Sequence, residues 1–79
     1  MARFATQDAP VWERRGFLIE YTPESLRILR RYRQLTQAEL GRQIASSGDY
    51  ISELERGRSQ PSVDLMGRLG ESLNVIFFK

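Results

Sequence analysis

The chain has 79 residues, a length that suits one small domain with a single core. It contains no Cys and no His, which excludes disulfides, Cys/His zinc sites, thiolate nucleophiles and imidazole bases together. We therefore expect no enzyme activity, no catalytic residues, no cofactor and no metal site. The net charge is only +2, yet 11 of the 12 basic residues are Arg, whose planar guanidinium binds phosphate groups well.

No apolar stretch approaches the length of a membrane-spanning helix. The first residues do not form the apolar run of a signal peptide either. These two observations predict a cytoplasmic protein that has no membrane partner.

The two ends of the chain predict short β-strands. Residues 1–22 are expected to form an N-terminal arm that ends in a strand at about 16–21, and a second β-prone run lies at 75–79. An isolated two-stranded ribbon is marginal in water, so the strands must rest on the helices or on a partner. The sequence leaves open whether they pair within one chain or between two chains.

Residues 23–74, between the strands, predict a helical domain. A Thr-Pro pair starts a first helix over about 23–33. Its apolar face is expected to comprise Leu26, Ile28, Leu29, Tyr32 and Leu35. Ser62 caps a last helix, which ends at Asn74, a residue that suits a left-handed C-cap. Close packing against this helix is expected at Gly67 and Gly70.

Two short helices in the middle predict a helix-turn-helix unit over residues 36–57. Thr36 and Glu39 match a capping box at the start of one helix, and Ser47 can cap the next. Two helices of about nine residues joined by a three- or four-residue turn are the helix-turn-helix arrangement. Spacing predicts core positions at Leu40, Ile44, Ile51, Leu54, Leu65 and Leu69.

Four segments of this domain carry specific motifs: LTQAEL (35–40), YISELERGR (50–58), PS (61–62) and LGESLNV (69–75). Together they resemble the phage lambda repressor and Cro-type (XRE) helix-turn-helix family over about residues 24–75. The resemblance implies an all-α, lambda-repressor-like four-helix domain with short terminal strands. Two residues of the turn depart from the family, which usually has Gly in place of Ala45 and an apolar residue in place of Ser46.

The resemblance implies a double-stranded DNA partner, with the third helix in the major groove. In this family the position of Gln37 contacts a DNA phosphate, although a solvent-exposed helix-start residue is the alternative. Base edges would face the start of the third helix at Ser47, Gly48, Asp49, Tyr50, Ser52 and Glu53. Phosphates beside the groove would be reached by Arg42, Arg56 and Arg58. For Asp49 the alternative is an acid that stabilises the first helical turn.

Other charged residues predict structural contacts. Glu55 is expected to pair with an Arg of the first helix or of a loop. Four arginines crowd the first helix with no acid among residues 25–38, and like charges this close repel each other. These are Arg27, Arg30, Arg31 and Arg33. We expect Glu24, Glu55 or an external polyanion to balance the positive charges of these arginines.

The terminal strands are candidates for a homodimer seam through Phe17, Ile19, Ile76, Phe77 and Phe78. Dimers place two recognition helices one duplex turn apart, and HipB-like antitoxins, which this chain resembles, use a strand after the last helix in dimerisation. We therefore expect a repressor that binds a palindromic operator as a homodimer. The family contexts are an autoregulating antitoxin with a cognate toxin and a small phage or restriction–modification controller.

A rival function belongs to a different class. The acidic residues Asp49 and Glu53 motivate a protein-interaction module, toxin-neutralising or adaptor, that keeps the fold without strong operator binding.

Overall fold

The structure, a computed structural model, describes residues 17–79. In that range the order is strand β1 (Leu18–Glu20), helices α1 (Pro23–Tyr32), α2 (Gln37–Gln43), α3 (Gly48–Glu55) and α4 (Val63–Leu73), and strand β2 (Ile76–Phe78). This order confirms the predicted four-helix fold with short terminal strands. The expected arm at 1–16 lies outside the described residues. From residue 17 to residue 79, no helix is long and apolar enough to cross a bilayer.

Each helix begins where a side-chain hydroxyl caps it, as the sequence predicts. The capping residues are Thr22, Thr36, Ser47 and Ser62. At α2 the capping box is complete: the Glu39 amide donates to the Thr36 hydroxyl at 3.0 Å, and the Glu39 carboxylate accepts the Thr36 amide at 2.8 Å. These hydrogen bonds with Thr36 lower the pKa of Glu39, because they stabilise its charged form.

The helices enclose one apolar core. Its fully buried side chains are Leu26, Leu40, Ile44, Ile51, Leu54, Leu69 and Leu73. Leu65, the remaining predicted core residue, is only half buried and packs at the rim. The prediction for Ile28 and Tyr32 is wrong, since they are 56% and 54% exposed. The buried face of α1 follows Leu26 and Leu29, and positions 28 and 32 lie on another face of the same helix.

Helices α2 and α3 are held close together by small residues around their turn. A Cβ atom added at Gly41 of α2 would overlap the backbone carbonyl of Ser47, so only glycine permits this approach. The chain reverses at Ala45, whose φ of 59° lies in the left-handed region. The Ser46 amide then donates to the Gly41 carbonyl at 2.7 Å. Ala45 therefore occupies a conformation that favours glycine, which is the usual residue at this position in the family that the chain resembles.

The end of α4 shows a similar close approach. A Cβ added at Gly70 would lie 2.5 Å from the Val75 carbonyl oxygen, so Gly70 does permit a close approach, by the backbone that follows α4 rather than by another helix. The same expectation for Gly67 is wrong, because nothing lies within 4 Å of a Cβ built there. Asn74 ends the helix with φ 62° and ψ 44°, which confirms the predicted left-handed cap. The tight turn that follows brings β2 back along α4.

The two strands pair in parallel within one chain, which answers the question that the sequence left open. The register is Leu18↔Ile76, Ile19↔Phe77 and Glu20↔Phe78. Parallel strands need a long crossover connection, and here the four helices provide it. The ribbon therefore closes the domain by joining its two ends.

Strand alternation divides the ribbon into an inner and an outer face. Ile19 and Phe77 point toward the helices, and the Phe77 side chain is only 8% exposed. Their predicted place on an exposed dimer seam is thus corrected: both side chains belong to the intrachain core. The outer row comprises Leu18, Glu20, Ile76 and Phe78, and Phe17, which is 45% exposed, precedes the strand. Leu18, 61% exposed, was not predicted there.

Candidate nucleic-acid interface

A buried ion pair fixes the end of α3 against α1. The Arg30 Nε donates to Glu55 Oε2 at 2.6 Å, and Nη2 donates to Oε1 at 3.1 Å. Both residues are less than one tenth exposed, at 9% and 8%. Arg30 also donates through Nη1 to the Leu35 carbonyl at 2.8 Å, which anchors the α1–α2 connection. The expected pairing of Glu55 with an arginine of the first helix is confirmed.

Gln37, the first residue of α2, binds the same carboxylate. Its Nε2 donates to Glu55 Oε1 at 3.0 Å, and the side chain is half buried rather than free in solvent. Glu55 thus joins the start of α2, the last turn of α1 and the end of α3. A phosphate contact by Gln37 would have to use its second amide hydrogen or release Glu55.

The start of α3 presents the residues that were predicted to face bases. Ser47 and Asp49 are exposed, and half-buried positions follow at Gly48, Tyr50, Ser52 and Glu53. Asp49 and Glu53 stand one turn apart on the same side of the helix. Tyr50 packs partly against the core, which limits the directions its ring can take. A Cβ at Gly48 would lie 3.0 Å from the Ala38 backbone, so this glycine also serves the packing of α3 on α2.

Exposed arginines stand at both ends of the α2–α3 pair. Arg42 lies in the last turn of α2, Arg56 is the C-cap of α3, and Arg58 follows two residues later. The Arg58 Nη1 is 3.9 Å from Glu53 Oε2, a long contact between exposed groups. Among residues 17–79, Arg42 and Arg56 form no ion pair. Both side chains are exposed to solvent, although Arg42 also lies near enough to Glu39 to help lower the pKa of that carboxyl.

The arginines of α1 have separate environments. The charge of Arg30 is balanced by Glu55, which was one of the predicted alternatives. Arg33 donates through Nε to the Leu73 carbonyl at 3.2 Å and lies over the Tyr32 ring, 5.6 Å from its centroid. Burial lowers the pKa of Arg33. Arg27 is half buried and Arg31 is exposed, and neither pairs with an acid of the described part of the chain.

Tyr21 is a residue beside this region that the sequence reasoning missed. Its side chain is 8% exposed, and its hydroxyl is buried with no hydrogen-bond partner among residues 17–79. Burial, reinforced by the nearby Tyr50 and Glu55, raises the pKa of Tyr21 to about 12. Tyr21 thus belongs to the same core cluster as Ile51 and Leu54 of α3. Nothing in the local sequence around Tyr21, which precedes the helix cap, indicates that its side chain would be buried.

The comparisons with known proteins support this arrangement. The helix-turn-helix domain family matches residues 24–75, about two thirds of the chain. That span includes the Arg30–Glu55 pair, Gln37, the exposed start of α3 and the flanking arginines. No curated protein and no solved structure matches the chain. A family of this kind indicates a DNA-binding regulator. The chain belongs to the helix-turn-helix domain family, in its lambda-repressor-like class.

Proposed function

We propose that this protein is a sequence-specific transcription repressor that binds a palindromic DNA operator as a homodimer. The observation that carries the proposal is the solvent-accessible start of α3 with exposed arginines at both ends of the α2–α3 pair. An eight-residue helix is about 12 Å long, a size that the major groove of B-DNA admits. In this proposal, Tyr50 and its neighbours read base edges, while Arg42, Arg56 and Arg58 hold the phosphates.

The homodimer part of the proposal is supported by the outer row of the ribbon. Leu18, Ile76 and Phe78 expose apolar side chains on the outer face of the paired strands, with the exposed Glu20 beside Phe78 and the exposed Phe17 just before β1. Exposed apolar side chains grouped in this way are typical of a protein–protein contact. One recognition helix reads only a few base pairs, so a two-fold dimer would double the length of the sequence recognised.

A DNA titration at several salt concentrations tests the proposal. The probe is a labelled duplex from the region upstream of the protein's own gene, with a scrambled duplex as competitor. A dimer that neutralises about eight phosphates should show log affinity falling against log salt with a slope of about −7. Binding without salt dependence, or no preference over the scrambled duplex, would contradict the proposal.

Single substitutions separate the two roles in the interface. Arg56→Ala should weaken binding to all duplexes by about 1 kcal/mol and reduce the salt slope by about 1. Arg68→Ala is the matched control, because Arg68 is exposed on α4 and pairs with Asp64 at 3.1 Å. Tyr50→Phe keeps the packed ring and removes the hydroxyl, so it should change the preference among operators. An equal loss of affinity for every duplex would show that Tyr50 does not contribute to the recognition of bases.

Measuring the oligomeric state tests whether the outer row of the ribbon forms the homodimer interface. Phe78→Glu places a charge in the outer row and should give monomers by light scattering, with helical content unchanged. Val63→Glu is the control, because Val63 is 87% exposed and lies on α4 rather than on the ribbon. Phe77 is unsuitable for this test, because its buried ring supports the core. A Phe78→Glu protein that remains dimeric would place the dimer contact elsewhere.

The alternative function is a protein-interaction module, and the acidic start of α3 favours it. Asp49 and Glu53 are the only charged residues between 47 and 54, so the proposed reading surface would repel phosphates wherever no base donor compensates. In this alternative the same surface, or the ribbon, binds a toxin or another protein. Failure to bind any DNA at low salt, together with an intact fold, would favour it over the repressor.

A further inference from the structure

The start of α3 lacks the side chains that usually read purines. Residues 47–55 contain no Arg, Lys, Asn or Gln. Arg and Lys are the usual donors to guanine O6 and N7, and the amides of Asn and Gln pair with adenine N6 and N7. The accessible polar side chains of this surface are Ser47, Asp49, Tyr50, Ser52 and Glu53. Apart from hydroxyl groups, the surface therefore offers only carboxylates, which accept hydrogen bonds and do not donate them.

Asp49 carries the carboxylate that no described residue occupies. It is the second residue of α3, it is exposed, and it forms no ion pair or side-chain hydrogen bond with another residue of the range 17–79. The cap of α3 does not need it, because the Ser47 hydroxyl accepts the Tyr50 amide at 3.2 Å. Glu53 differs, since Arg58 Nη1 lies 3.9 Å from its Oε2 and partly balances its charge. Both oxygens of Asp49 are therefore open to an external donor.

Cytosine is the base whose major-groove edge suits such a carboxylate. It presents the N4 amino group as a donor and presents no acceptor. Guanine presents O6 and N7, thymine presents O4, and adenine places N7 beside its N6 amino group. An acceptor atom that faces an ionised carboxylate repels it. The order of preference opposite Asp49 is therefore cytosine first, adenine second, and guanine or thymine last.

We propose that Asp49 selects one cytosine in each half of the operator. This assignment rests on the proposed function, in which the start of α3 lies in the major groove. The Asp49 carboxylate accepts a hydrogen bond from the cytosine amino group. Beside a duplex that has no amino group at that place, the same charge is repelled by the phosphates and gains nothing in return. Asp49 is thus a specificity-determining residue that rejects the wrong bases.

In vitro selection from a random duplex library tests the assignment with the full chain as wild type, Asp49→Asn, Asp49→Ala and Asp64→Asn. The wild-type protein should select cytosine at one position of each half-site, and exchanging that C·G pair for T·A should lower the affinity about tenfold. Asp49→Asn keeps the shape but gains N–H donors, so it should select adenine there by binding N6 and N7 together. Asp64→Asn makes the same chemical change on α4, at an exposed residue that pairs with Arg68, and should select the same sequences as the wild type.

A chemical change in the DNA tests the same hydrogen bond without altering the protein. In N4-methylcytosine a methyl group replaces the amino hydrogen that faces the major groove, and the pairing with guanine is kept. At the selected position this base should weaken wild-type binding about tenfold and change the affinity of Asp49→Ala less than about twofold, because that variant has no carboxylate to lose a donor. A methyl group that only obstructs α3 would weaken both proteins equally, and that result would overturn the assignment.

The proposed function and the base assignment fail in different ways. If the wild-type protein selects no duplex from the library at low salt, the proposed function fails and the base assignment fails with it. If a duplex is selected but no position requires cytosine, only the base assignment is overturned. The same holds if Asp49→Asn selects the same bases as the wild-type protein.

Discussion

Replacing Glu55 with alanine should be the most destabilising single change at this interface. The substitution leaves the Arg30 guanidinium buried at 9% exposure and without the carboxylate that now lies 2.6 Å away. Breaking a buried ion pair from one side costs about 3–5 kcal/mol. A domain of this size has a total stability of about 4–12 kcal/mol, so a large part of it would be lost. The Tm should fall by roughly 20 °C.

Urea unfolding followed by circular dichroism measures the loss. Glu53→Ala is the matched control, because Glu53 lies on the same helix in a long, exposed contact with Arg58 and should cost no more than about 1 kcal/mol. A double variant, Arg30→Met with Glu55→Leu, should recover much of the loss, since no charge then remains buried. If Glu55→Ala were as mild as Glu53→Ala, the buried pair would not be what holds α3 against α1.

Three further predictions concern the turn, the helix contacts and alkaline pH. Ala45→Gly should stabilise the fold by up to about 1 kcal/mol in urea unfolding, because it relieves a left-handed alanine, whereas Ala38→Gly inside α2 should destabilise it by a similar amount. Gly41→Ala should cost about 1–3 kcal/mol through overlap with the next helix, while Gly67→Ala, which meets open space, should be stabilising. The pKa of Tyr21 is about 12 in the folded state against an ordinary value of about 10. Its contribution to stability is therefore complete below pH 10 and is lost as the pH rises toward 12, so the urea midpoint of Tyr21→Phe should fall less than that of the wild type over this range.

The helix starts could be predicted from the sequence because capping is local. Thr36 with Glu39, and Ser47 before α3, need only the residues within three positions to define the first turn. The kind of residue that pairs with Glu55 was also predictable, because four arginines lie on or next to the first helix with no acid among residues 25–38. That Arg30 is the partner depends on how α1 is rotated against α3, which is a property of the packed fold.

The ribbon could be predicted only in part. Its two three-residue strands are too short for alternation to define which face is buried, so Phe77 and Ile19 were placed on the wrong side. Helix α1 poses the same problem, because Ile28 and Tyr32 supply a second apolar side that the spacing does not distinguish from the buried one. The position of the Tyr21 hydroxyl depends on the parallel pairing of residues more than 50 positions apart. No local pattern carries that information.

The charges at the start of α3 bear on what kind of DNA binding is possible. A carboxylate beside the phosphate backbone lowers affinity for every duplex, whereas the same carboxylate opposite a cytosine amino group gains a hydrogen bond. Glu53 is already partly compensated by Arg58, but Asp49 forms no ion pair with another residue of the 17–79 range. Asp49 would therefore reduce non-specific binding more than binding to a matching site. In the proposed repressor, an acidic reading surface flanked by arginines would lower the absolute affinity and increase the discrimination between operator and other DNA.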